Sequence, residues 1–294
     1  MMVRSRTIGS ITADILIWSV VILLTMSCLI PLLNMVAISF SDNAAASANL
    51  VGILPVNLTF ESYRKLLSDT QFWHSFFISV ERVMLGLFVN MSLTVLAAYP
   101  LSKSSKKFKS QKIYMNIFIF AMLFSGGLIP TFMVVNKLHL LNTIWSLILP
   151  GAVPIGNVIL LMNAFRGVPK SLEEAAEIDG ATQWDILFKI YLSIVKPTLA
   201  AIVLFTIVGH WNDYFSALVY ISKTTNYPLQ TYIQQLNVDI TKVTDTEKMK
   251  QLAKISNRTL NSAKIVVSTV PLLLIYPFMQ KYFVSGIIVG SVKE

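Results

Sequence analysis

The sequence predicts an all-α, polytopic membrane protein, and three observations carry that prediction. The 294 residues are 54% hydrophobic and only 13% charged, with a mean hydropathy of +0.65. A soluble domain carries about 25% charged residues. Six apolar stretches are each long enough to cross a bilayer, which takes about 20 residues of helix. No train of ten-residue alternating segments supports a transmembrane barrel. Backbone groups in lipid must bond internally, so the spans are expected as helices.

Arg4 and Arg6 precede the first stretch, residues 15–38. It exceeds the apolar region of a cleavable signal peptide and reads as a retained signal anchor. Cys28, the single cysteine, lies inside it and reads as a small buried apolar side chain. The further stretches are 72–101, 113–133, 143–164, 198–221 and 264–284. The loop after the second holds Lys103, Lys106, Lys107, Lys109 and Lys112 and no acid. By the positive-inside rule this loop, segment 166–197 and both termini are cytoplasmic. The net charge of +9 is thereby explained by topology, without nucleic acid as a partner. The outer loops are then 42–71, 134–142 and 222–263. The last carries Lys242, Lys248, Lys250, Lys254 and Arg258, and long loops follow the charge rule weakly. It is a candidate contact surface. Pro31, Pro130, Pro150, Pro154, Pro271 and Pro277 imply kinked or broken spans. No internal repeat is evident, so residues 1–294 form one membrane domain.

The segment Ser171–Pro197 is amphipathic and charge-rich, yet apolar spans flank it. Ser171 with Glu174 fits a capping box, and Gly180 suits the left-handed residue that stops a helix. Thr182 with Asp185 opens a second helix in the same way. Its Trp184, Ile186, Leu187, Ile190, Leu192 and Ile194 are expected to lie against the membrane domain. A helix of about eight residues is marginal alone in water and needs a surface to hold it. Two readings stand level: a docking element for a partner, or a capped loop helix.

Glu174-Ala175-Ala176, then Gly180, then Ile190 and Leu192 resemble the signature loop of ABC importer permeases. The fuller run Glu174–Thr182 is similar to the carbohydrate-uptake, maltose-type branch, and Gly126–Thr131 to an oligosaccharide subgroup. Trp211-Asn212-Asp213, Pro228–Thr231, Tyr276-Pro277-Phe278 and Gly286–Gly290 also match family patterns, so the resemblance covers nearly the whole chain. One departure is Ser193, where many members have proline, although Pro197 is retained.

The resemblance implies a type I importer permease fold and the smaller, six-span permease of a heterodimer in the cytoplasmic membrane. It implies a coupling loop, 166–197, that docks into one of two ATP-hydrolysing subunits through Glu173, Glu174, Ala175, Ala176, Ile178, Asp179 and Gly180. ATP and magnesium would sit on those subunits. No G-x-x-x-x-G-K-[ST] pattern occurs here, so the chain is read as a transport subunit, not an enzyme, with no cofactor of its own. An extracytoplasmic solute-binding protein would meet loop 222–263, with Gln230, Tyr232, Gln234, Gln235 and Asn237 as contact residues.

Polar residues inside spans are functional candidates. His210, Trp211, Asn212, Asp213 and Tyr214 form the candidate substrate pathway, because rings and amides suit sugar. Helix-to-helix hydrogen bonding explains them equally well. Glu81 and Arg82 point to different faces of one helix and are expected to find partners elsewhere. The basic outer loop and Gly126–Thr131 lean toward acidic, uronate-type oligosaccharides. The competing readings are a permease for another solute, such as glycerol phosphate, and a membrane enzyme acting on lipid-linked sugars. The latter is disfavoured, because His74, His139 and His210 are scattered without metal-ligand spacing.

Overall fold

The computed structural model describes residues 8–238 and 258–291, and among the described residues every regular element is helical. Three helices are long and apolar enough to cross a membrane: Ile11–Ser39, Thr70–Ser102 and Arg258–Phe278. Three bent pairs bring the number to six if each pair is one span. The chain divides into two compact units, Met1–Thr70 with Gln235–Thr269 and Gln71–Gln234 with Val270–Glu294.

In the first unit the helix Ile8–Ser39 runs through Pro31 without interruption. Ser19 and Thr25 donate to the carbonyls of Ile15 and Val21 on the same helix, at 2.8 and 2.7 Å, so its polar groups are answered locally. Among the described residues nothing covers its apolar length. Cys28 is accordingly exposed, not buried as the sequence suggested. Only the end packs: Ala37 and Ile38 meet Ala45, Ala46 and Val51. Asn34 staples the returning chain through the carbonyls of Val51 and Gly52, at 3.0 and 2.7 Å. Asp42 caps the short helix Asn43–Ser47. Arg258 donates to Ala46 O at 2.8 Å and to Asn49, and Lys264 pairs with Asp69 at 2.5 Å. Lysines 242, 248, 250 and 254 lie outside the described residues.

The second unit is organised by Thr70–Ser102. Every fourth residue along one face is buried, through Ser75, Ser79, Val83, then Gly86, Asn90, Thr94 and Ala98. Small side chains at this spacing let other backbones approach closely. At Gly86 a Cβ would come within 2.4 Å of His210 Nε2. The main core lies at the far end, where Ala98, Tyr99 and Leu101 meet Leu161, Phe165, Ile186, Leu187 and Tyr191.

The third predicted span is not one rod. Gln111–Leu123 and Leu128–Lys137 meet at 115°, and Gly127 turns the chain with a φ of 85°. A residue with a side chain is strained there, so this glycine makes the break. The fourth bends by 50° between Ile144–Gly151 and Ile155–Arg166, where Pro154 precedes the second helix. The returning helix of the hairpin, Gln183–Ile194, meets Lys196–Asn212 at 84°, and the fifth predicted span itself breaks after Asn212. Serine at 193 therefore does not abolish the bend. Residues Ile186–Tyr191 form a wider π-type turn, and Pro197 sits in the first turn of the next helix, where no amide donor is needed. Pro271 and Pro277 lie within the helix Arg258–Ser291, which continues through both.

The Gly86 contact makes a prediction. Gly86→Ala forces the His210 ring from its place and should destabilise the purified protein by about 1–3 kcal/mol. His210→Ala in the same chain should remove most of that loss, read as thermal unfolding in detergent across the four-member cycle.

Candidate functional site

The polar hairpin begins two residues before the sequence suggested. The helix spans Lys170–Ile178, Pro169 is its N-cap residue, and neither Pro169 nor Ser171 closes a capping box. At the other end Ala181 N bonds Ala176 O at 2.9 Å and Gly180 N bonds Glu177 O at 3.2 Å. That is a Schellman turn, with Gly180 at a φ of 77°. Thr182 and Asp185 form the expected capping box reciprocally, each bond at 3.2 Å.

Helical geometry divides the short helix into two arcs. Glu173, Ala176 and Glu177 occupy one. Leu172, Glu174, Ala175, Ile178 and Asp179 occupy the other and are exposed, Ile178 at 86%. Glu173 is therefore not a docking residue on the outer face. It is 5% exposed and turned toward the basic loop. Lys103 lies 2.8 Å and Lys107 2.9 Å from its Oε1, and the Tyr191 hydroxyl donates to Oε2 at 2.5 Å. Lys107 also reaches Glu177 at 2.7 Å. The Lys103 ammonium sits 4.2 Å from the ring centres of both Tyr99 and Tyr191, a double cation–π contact. Tyr99 in turn donates to Gln183 at 2.8 Å.

These groups set each other's charge. Burial opposes ionisation of Glu173, but Lys103, Tyr191 and Lys107 outweigh it and hold the carboxyl down at about 2. Burial pulls the Lys103 ammonium below its usual range against the opposing pull of Glu173. Hydrogen bonds to Glu177 and Glu173 push Lys107 up. On the returning helix Ile186, Leu187 and Tyr191 are buried in the core, with Ile190 and Leu192 packed beside them. Trp184 and Ile194 are exposed instead, and Trp184 stacks on exposed Phe188 at 6.0 Å.

The five residues of the candidate pathway do not stay together. The helix ends at Asn212 and a new one, Phe215–Tyr220, begins after Asp213 and Tyr214. Trp211 is buried edge-on against Phe76 at 5.7 Å, while Asn212 and Tyr214 are exposed. His210 and Asp213 face a cavity of about 280 Å³ with Arg82, Asn90, Thr206 and Gly209. Arg82 pairs with the Asp213 carboxylate, which also accepts from Ser216 N at 3.1 Å. Arg82 further donates to the carbonyls of Asp213 and Leu147, at 2.9 and 3.2 Å. Sequence reasoning expected a distant partner for Arg82 but could not place it here. Glu81 on the neighbouring face is exposed.

In the helix Leu229–Val238, Gln234 is exposed while Gln230, Tyr232 and Gln235 are half-buried. Tyr232 packs on the cluster of Tyr220 and Tyr227. The side chain of Asn237 lies outside the described residues.

A broken-helix membrane domain with a capped, outward-facing hairpin is the architecture of a transporter subunit. The chain belongs to the family of binding-protein-dependent transport system inner membrane components, whose pattern matches residues 90–289. It is 36% identical to the polygalacturonan/rhamnogalacturonan transport system permease protein YtcP of Bacillus subtilis (strain 168), over 95% of this chain and 98% of that one. It is 39% identical to protein LplC of the same organism, over 90% of this chain and 89% of that one. A crystal structure of a bacterial ABC transporter involved in import of the acidic polysaccharide alginate matches with a TM-score of 0.86 and 31% identity. That match covers 95% of this chain and 99% of the other.

The Glu173 cluster makes the second prediction. Glu173→Gln leaves the buried Lys103 without its countercharge and should cost about 3 kcal/mol. Lys103→Met in the same chain should recover part of it. The folded carboxyl lies below its usual 4.5, so its contribution is full above that pH and disappears as pH falls toward about 2. Amide exchange across 170–194 should therefore be protected equally between pH 5 and neutrality. Loss of that protection near neutrality would contradict the assignment.

Proposed function

We propose that this chain is one permease subunit of an ATP-driven importer for oligosaccharides of the acidic, uronate type. The observation that carries the coupling role is the outer arc of the hairpin. Leu172, Ala175 and Ile178 form an exposed apolar strip on one arc of the short helix, edged by Glu174 and Asp179, and Trp184 and Phe188 are exposed on the returning helix. Exposed apolar surface rimmed by charge marks a protein contact. Support for the solute comes from a relative named for polygalacturonan/rhamnogalacturonan transport and from the solved transporter involved in import of the acidic polysaccharide alginate.

In this reading six spans cross the cytoplasmic membrane with both termini, the lysine loop and the hairpin inside. A second, homologous permease completes the pathway. Two ATPase subunits, carrying ATP and magnesium, bind the two permeases, and one of them receives this hairpin. An extracytoplasmic binding protein delivers the sugar to the opposite side, where Gln234 is the outward polar group of its helix. Closure of the ATPase pulls the outer arc. Glu173, buried on the inner arc, passes that pull to Lys103 and Lys107, and so to the end of Thr70–Ser102. The bent spans then rock as rigid parts around their breaks.

The test is uptake by the complete transporter in proteoliposomes, fed galacturonate oligosaccharides through its binding protein. Gly180→Val places a branched side chain at a positive φ and should loosen the Schellman turn. Ile178→Asp puts a charge into the apolar strip. Each is expected to lower uptake at least tenfold and to lose stimulated ATP hydrolysis, with the complex still reaching the membrane. Wild-type uptake in both variants would sink the coupling role.

A further inference from the structure

This inference rests on the oligosaccharide reading above and concerns the cavity beside the Asp213 break. We propose that it is a subsite for one sugar ring, gripped by its hydroxyls and not by its carboxylate. Arg82 is 1% exposed, and its two terminal nitrogens are taken by Asp213 and by the Leu147 carbonyl. A carboxylate entering here would find a guanidinium already neutralised and an aspartate that repels it.

The unmet capacity is of another kind. Arg82 Nε, Asn90 Oδ1, Thr206 Oγ1 and His210 Nε2 are buried with no hydrogen-bond partner in the protein. All four residues line the same space, and Asn90 and Thr206 are 6% and 5% exposed. Buried polar atoms left unmatched call for a ligand or water. Arg82 Nε offers a donor, Asn90 Oδ1 an acceptor, and Thr206 both. Sugar hydroxyls donate and accept and so meet all of them, whereas a carboxylate only accepts. The volume of about 280 Å³ falls just under the roughly 300–1,000 Å³ of sites for drug-sized ligands. It suits one ring of a chain. Gly86 lets His210 sit close against Thr70–Ser102, which fixes one wall.

The test uses the purified complex of two permeases and two ATPase subunits, freed of binding protein so that its own site does not contribute. Titration with tritiated galacturonate trisaccharide reads the affinity of the pathway. Thr206→Val keeps the shape and removes one hydroxyl; Kd should rise about three- to tenfold, the effect of one hydrogen bond. Asn90→Leu should act in the same direction, and Thr206→Ser should return Kd to the wild-type value. A hydration or packing role would alter the yield or thermal stability of these variants and leave Kd unchanged, which would overturn the subsite. So would a wild-type complex that shows no saturable binding. Uptake by the complete transporter separates the two ideas: if it takes up the trisaccharide while these affinities do not move, only the subsite falls. If it takes up no uronate oligosaccharide, the importer reading falls as well.

Discussion

The hairpin depends on one carboxylate withdrawn from water. Glu173 is nearly inaccessible, and a buried charge of that kind survives only among compensating groups. It finds them in Lys103 and Lys107 and in the Tyr191 hydroxyl. The lysine-rich loop thus fastens the polar hairpin down. With Glu173 turned in, Glu174 and the apolar strip are necessarily turned out, because 3.6 residues per turn allow no other division. Two adjacent glutamates thus have opposite duties.

The same economy appears at Arg82. Helices that break inside an apolar protein leave carbonyls without intrahelical donors, and lipid supplies none. A single guanidinium meets the Asp213 carbonyl at the end of Lys196–Asn212, the Leu147 carbonyl in Ile144–Gly151, and the Asp213 carboxylate. Asp213 then receives the Ser216 amide and so starts the next helix. One arginine on a continuous helix holds two discontinuous ones. Removing either charge would expose several backbone groups at once.

How much of this the sequence discloses follows from the range of each interaction. Hydropathy locates the spans, because burial in lipid acts on whole windows of residues. Gly180 and the Thr182–Asp185 capping box are legible, because both are closed within four residues. The choice between Glu173 and Glu174 is not, since it turns on lysines 66 to 70 residues away. The partner of Arg82 lies 131 residues away. Pro130 announces a break in the third span, but not its place at Gly127: a glycine pair reads equally as a packing face or as a turn, and only its φ decides. The aromatic pathway dissolved because helix periodicity, assumed continuous through 214, stops at Asn212.

Among the described residues, the helix Ile8–Ser39 packs on its own unit near its final turns, and its apolar length is left uncovered. In a bilayer helices associate by close packing and hydrogen bonding, not by escaping water. The uncovered length of this helix, before Asn34, contributes little packing to its own subunit. Substitutions along it are therefore silent when the isolated chain is melted and are felt only in lipid or against another subunit. Its sequence is free to be shaped by whatever surface lies beside it in the assembled transporter.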